Sequence, residues 1–259
     1  MYCELVKPRE SDRNLEMKFV GIDFGWFSGA SGLCCLVLQN NQLEILNITT
    51  VLEIENILAW VDSCVGSTSP ALIAVDAPTI INNPTGMRLA DKLTHKHFGR
   101  YHAGCYPANL SLKFADRTVG LGKSLISRNF QHAPAIEPKQ LGRYQIEVFP
   151  HPATINLFGL PKILKYKKGR NSDRQQELTK LRNYIIEVLP RLEPALSLKS
   201  LTLIPEIPRQ LTGKELKAIE DMLDSLICAY VAAYWWYWGE QKNLVLGNLD
   251  SGYIVIPNP

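Results

Sequence analysis

Three short runs near the start of the chain, residues 18–24, 32–38 and 42–49, are rich in residues that favour strands and are separated by Gly/Ser and Asn-Asn punctuation. That pattern predicts a three-stranded meander. Helical spacing follows over residues 52–65, and then the unbroken apolar run 71–75 stops at Asp76-Ala77-Pro78. A run of this kind is a strand buried on both faces, and a helix between strands implies a parallel crossover. Further along, the pattern predicts helices near 86–98 and 109–130, a strand over 144–149 and a helix near 173–189, with irregular Pro/Leu-rich sequence from 190 to 210. The longest apolar helix is expected to start near Thr212, where Thr212 and Glu215 form a capping box, and to run to about Trp238. The resulting order, β-β-β-α-β-α-β-α, is that of an α/β fold. It implies a mixed five-stranded sheet flanked by helices, with insertions after the fourth strand and before the last helix.

A length of 259 residues suits one elaborated domain, at roughly 100–200 residues per domain. Residues 17–259 are read as that domain and residues 1–16 as a polar N-terminal tail. Hydrophobic residues make up 46% and charged residues 20%, which excludes a disordered or fibrous chain. The apolar run 226–239 is too short to span a bilayer and the tail has no apolar stretch, so no membrane association is expected and the location is read as cytoplasmic. Six cysteines occur without a C-x-x-C pair, which argues against a zinc module. The net charge of +3 is too balanced for a nucleic-acid coat protein, so any nucleic-acid contact must come from a local patch.

Acidic residues fall at positions where a sheet of this kind places its sites. Asp23 lies near the end of the first strand and Asp76 at the end of the fourth, and ligands of open α/β sheets bind outside the carboxyl ends of strands. Asp221 and Asp224 share a face of the last helix, in a segment that has no further acid or base until Glu240. The plain alternative is a solvated helix face. Glu147 interrupts an apolar strand and therefore needs a partner, either a site or an ion pair with a nearby base. Two charges about 4 Å apart repel by roughly 4 kcal/mol at an effective dielectric near 20, so converging carboxylates must bind cations or hold protons. All-oxygen sets suit Mg²⁺ or Mn²⁺.

These pieces, in this order, resemble the ribonuclease H-like superfamily and, within it, a widespread family of unknown function described as predicted nucleases. The matching segments are Gly21-Ile22-Asp23-Phe24-Gly25-Trp26, Ala74-Val75-Asp76-Ala77-Pro78 with Arg88-x-x-Asp91, Glu147-Val148-Phe149-Pro150-His151-Pro152, the Lys-rich loop 165–170 and Asp221-x-x-Asp224. The resemblance implies a metal site of Asp23, Asp76, Asp221 and Asp224, with Glu147 a further catalytic candidate. It also implies two-metal hydrolysis of phosphodiester bonds in DNA or RNA. Glu220-Asp221 and Ser225 depart mildly from the family's usual residues around the spacer.

Other groups carry two readings each. Arg88 either orients a substrate phosphate or pairs with Asp91. His151 is a phosphate contact, a proton donor or a structural histidine, and the basic loop with Lys165, Lys167 and Lys168 is a phosphate-binding or merely solvated segment. The spacing of His95, His97 and His102 matches no common zinc motif. The aromatic run 234–238 points all round its helix, which favours packing on the sheet, or a homodimer for any exposed remainder. Residues 25–32 invite the alternative of a phosphate cradle in a nucleotide phosphotransferase or ATPase of the actin and sugar-kinase type. A non-catalytic binding protein is the third reading.

Overall fold

The computed structural model describes residues 16–259; residues 1–15 of the expected tail lie outside the described residues. Strands β1 (Lys18–Asp23), β2 (Ser31–Gln39) and β3 (Gln42–Val51) form the antiparallel meander. Helix α1 (Ile54–Val65) returns the chain so that β4 (Ala71–Val75) runs parallel to β1, with Val75 opposite Ile22. Then come α2 (Leu89–Phe98), α3 (Ala115–Ile126), the two-residue β5 (Gln131–His132) and β6 (Arg143–Glu147), which pairs parallel to β4. They are followed by α4 (Pro150–Phe158), α5 (Asn171–Val188), the short β7 (Ala195–Leu196), α6 (Gly213–Trp238) and a hairpin of β8 (Asn243–Asn248) and β9 (Gly252–Pro257). The main sheet is mixed and ordered β5-β6-β4-β1-β2-β3-β7.

The sheet is buried on both faces because each inner strand is apolar on alternate sides. Phe19, Cys34, Leu36 and Ala74 pack against α5 and α6 on one face. Val20, Ile22, Leu33, Ile73 and Val75 pack against α1 and α3 on the other. A third, smaller cluster joins α2, α4 and the β8–β9 hairpin, with Ala90, Phe98, Ile155 and Ile256 at its centre.

The five longer strands follow the expected order, and the expected count of five grows to seven because β5 and β7 add two residues at each edge. The hairpin lies beyond the last expected element. Its sequence signal is two apolar runs about the turn Asn248-Leu249-Asp250-Ser251, where Asn248 Oδ1 accepts from the Ser251 backbone. The segment after β6, expected as strand to residue 149, turns instead into α4. Pro150 stands in its first turn, where a fixed φ and a missing N–H are harmless. The aromatic run packs inward: Tyr234, Trp235 and Trp236 are buried, and the two indoles donate to the carbonyls of Ala133 and Gln140. Among the described residues no helix is long and apolar enough to cross a membrane.

Candidate functional site

Asp23 is the last residue of β1, and Asp76 follows β4 directly. The Asp76 backbone N–H donates to the Ile22 carbonyl at 2.8 Å, which sets the two acids side by side at the ends of adjacent parallel strands. Helix α6 reaches them because the sheet beneath it lacks side chains at two points. A Cβ on Gly32 would lie 1.8 Å from the Asp221 carbonyl oxygen, and one on Gly21 would lie 2.0 Å from that of Ser225. The helix backbone therefore rests on the strands, and the three acids bear on one another, Asp23 raising the pKa of both Asp76 and Asp221. Asp224 raises the pKa of both strand-end acids.

Burial is the main reason Asp23, Asp76 and Asp221 hold protons above the usual carboxylate range. It raises Asp23, with Lys167 pulling the other way and Asp224 adding to the rise. It raises Asp76 further, and it lifts Asp221, helped by Asp23, to about 8. Four buried carboxyls meet the two ammonium groups of Lys167 and Lys217, so a charge of −2 would remain if all were ionised.

Lys167, on the loop between α4 and α5, places Nζ 2.8 Å from Asp224 Oδ2. That oxygen accepts no hydrogen bond of good geometry, so the contact is an ion pair only. The Tyr166 hydroxyl donates to Asp224 Oδ1 at 2.8 Å. Burial opposes the charge on Lys167, yet Asp224, Asp23, Tyr166 and Asp76 outweigh it and hold the pKa well above normal. Lys217, one turn before Asp221, pairs with that acid and with Glu220 Oε1 at 3.1 Å. Arg174 holds the other Glu220 oxygen at 3.1 Å. Sequence reasoning picked out neither Lys217 nor Tyr166 for the site. A lysine four residues before an aspartate on a helix is an ordinary surface pair, and Tyr166 was hidden in a basic loop.

Glu147 and Arg88 form a different unit. The Arg88 guanidinium is 3% exposed. It donates Nη2 to Glu147 Oε1 at 2.6 Å and Nη1 to Oε2 at 2.8 Å, while Nη2 and Nε reach Asp91 Oδ1 at 2.8 and 3.1 Å. Both sequence alternatives for pairing are thus present in one buried triad, and the fork of Arg88 is occupied by protein carboxylates. The triad stands beside the acids, since Asp23, Asp76, Arg88, Glu147, His151, Lys167 and Lys217 line one cavity of about 370 Å³. Burial lowers the pKa of His151 to about 4, so its ring is neutral near pH 7, and its buried Nδ1 has no hydrogen-bond partner. Lys165 and Lys168 are exposed and line a neighbouring hollow with His102 and His151. His95 Nε2 lies 2.8 Å from the Cys105 carbonyl. In the turn read as a phosphate cradle, the Gly25 N–H already donates to Ser31 Oγ at 3.0 Å.

The donor chemistry of Asp23, Asp76, Asp221 and Asp224 suits a hard divalent cation, and their excess negative charge calls for one or for protons. Among the described residues, no three acidic, histidine or cysteine side chains are gathered closely enough to hold an ion as they stand. The two lysines occupy the acids instead, so a divalent ion would exchange with ammonium groups. No curated protein matches the chain. The sequence model of one family, described as "Protein of unknown function (DUF429)", matches residues 21–248, most of the chain, and the protein belongs to that family.

Proposed function

We propose that this protein is a metal-dependent nuclease, a phosphodiesterase built on a ribonuclease H-like sheet. The observation that carries the reading is the meeting of Asp23, Asp76, Asp221 and Asp224, from the ends of two parallel strands and one helix, beside an open cavity. The order of the five longer strands, β3-β2-β1-β4-β6, is compatible with that fold. These four acids would hold Mg²⁺ or Mn²⁺, which supplies Lewis acidity to the attacking water and the leaving oxygen of a phosphodiester. The chain's own groups do the rest. Lys167 and Lys217 line the cavity and meet phosphate charge, with Lys165 and Lys168 extending the basic surface along the neighbouring hollow. Neutral His151 offers a hydrogen bond without a charge. The Arg88–Glu147–Asp91 triad fixes the wall on which they stand.

The test is cleavage of labelled single-stranded, duplex, hybrid and four-way-junction DNA and RNA in Mg²⁺ or Mn²⁺, with Asp76→Asn prepared in parallel. The parent should cleave at least one of these substrates. Asp76→Asn should lose about 100-fold or more, the scale on which loss of one preorganised transition-state contact is felt. Equal cleavage by the two proteins, or none with either ion, removes the reading.

A second expected outcome concerns the lysine now paired with the acids. Lys167→Met takes one competing cation from the cluster, and an ammonium near 4 Å from a carboxylate is worth several kcal/mol at an effective dielectric near 20. Mn²⁺ should bind the variant at least about tenfold more tightly by titration calorimetry. Unchanged affinity would show that Lys167 does not compete for the acids.

A further inference from the structure

We propose that Phe27 and Tyr106 form a stacking site for an unpaired nucleobase at the mouth of the carboxylate cavity. The strand presented to Asp23 and Asp76 is then single-stranded or locally unpaired. This inference rests on the phosphodiesterase reading for the identity of the strand and adds its conformation.

Exposed leucines are ordinary on a protein surface, and this one carries several. Phe27 and Tyr106 differ, each being 65% exposed and resting on the same buried ring. Phe27 meets Phe114 edge-on at 5.8 Å between centroids, and Tyr106 meets it at 6.3 Å and 68°. Trp26 packs on Phe114 as well, at 4.7 Å. Three separate segments, the β1–β2 loop, the stretch before Pro107 and the start of α3, thus bring four rings together. Trp26 and Tyr106 also line the cavity that holds Asp23, Asp76, Lys167 and Lys217.

Both supports are braced. The Trp26 indole donates to the Asp76 carbonyl at 2.9 Å, and Arg117 Nε to the Gly25 carbonyl at 3.0 Å. On the other side, the Ala108 N–H donates to Asp91 Oδ2 at 2.9 Å, two residues after Tyr106. Rings held out of the core on fixed supports offer apolar faces at little ordering cost. A base provides the matching face, and the cavity lysines take the charge of its phosphate. A base inside a duplex has both faces covered by its neighbours and offers none, so the site discriminates by strand state. Of the consecutive aromatics of α6, Tyr234, Trp235 and Trp236 are used up in the core.

The experiment titrates a single-stranded DNA oligonucleotide carrying 2-aminopurine with the full-length protein in EDTA, alongside the same sequence as a duplex. The expected result is quenched fluorescence and single-strand binding at least about tenfold tighter than duplex binding. Phe27→Ala and Tyr106→Ala should each weaken it by about fivefold or more, on the scale of one lost base–aromatic stack. Tyr106→Phe, which keeps the ring, should bind like the parent. Equal affinity for single strand and duplex, alanine variants that bind like the parent, or no single-strand binding overturns the stacking site. Cleavage that persists in the assay above would then leave the nuclease reading standing. A parent that elutes as a dimer, and Phe27→Ala as a monomer, would assign the rings to self-association and also overturn it.

Discussion

Arg88→Met should lower the unfolding free energy by about 3–5 kcal/mol, the range found when one member of a buried ion pair is removed and its partners stay behind. Methionine fills much of the same space, so the loss comes from charge and hydrogen bonding rather than from a cavity. The parent guanidinium also donates to the Ile80 carbonyl at 2.9 Å, so the substitution orphans one carbonyl together with Glu147 and Asp91. The effect has a signature in pH. Burial already pushes Glu147 up against the pull of Arg88, and without that pull its folded-state pKa rises further above the unfolded value. A carboxyl of this kind binds its proton more tightly when folded, so the variant's stability falls as pH rises. Urea denaturation should therefore show a smaller deficit at pH 5 than at pH 8. A deficit under about 1 kcal/mol, or one independent of pH, would mean that the triad is solvated in a way its burial denies.

Gly32→Ala should be nearly as damaging, although it adds one methyl group. Its Cβ would sit 1.8 Å from a backbone oxygen of α6, and a backbone cannot swing aside as a side-chain tip can. Overpacking of this kind costs about 1–3 kcal/mol. Relief requires α6 to move off β2, which carries Asp221 and Asp224 away from Asp23. The variant should unfold at a lower urea midpoint and lose Mn²⁺ binding together with any cleavage. Gly120→Ala is the control: it lies within α3 with nothing near its added Cβ, so it should gain roughly 0.5–1 kcal/mol from helix propensity alone. Gly32→Ala with parental stability would mean that the helix does not rest on the strand.

Much of this was legible in the chain. The strands β1 to β4 and the capped start of α6 follow from local periodicity and from Thr212 and Glu215, signals confined to a few consecutive residues. Asp23 and Asp76 could be read because a strand ending in an acid places it on a known side of a sheet. What was not legible depends on contacts between distant segments. Arg88 and Glu147 are 59 residues apart, and both are compatible with other partners until the fold joins them. Lys167 sits in a loop read as either phosphate-binding or solvated, and its pairing with Asp224 forms only once the fold brings α6 beside it. The inward packing of Trp235 and Trp236 follows the reading of consecutive aromatics on a helix, whereas nothing local marks Phe27 as standing outside. The terminal hairpin is a different case, because its two runs and turn carry a local signal.

Helix α6 behaves as a beam whose two ends are seated on different parts of the chain. Its aromatic end is clamped where the indoles of Trp235 and Trp236 grip the carbonyls of Ala133 and Gln140. Asp224 lies 12 residues from Trp236, or about 18 Å at 1.5 Å per residue, on the stretch that rests on Gly21 and Gly32. Over that length a tilt of about 3° would move the carboxylate through about 1 Å, a misplacement that costs an enzyme on the order of 100-fold in rate, so the helix has to be fixed at both ends. The alignment of the acids is therefore shared between the carbonyls of Ala133 and Gln140 at one end and the bare backbone of Gly21 and Gly32 at the other.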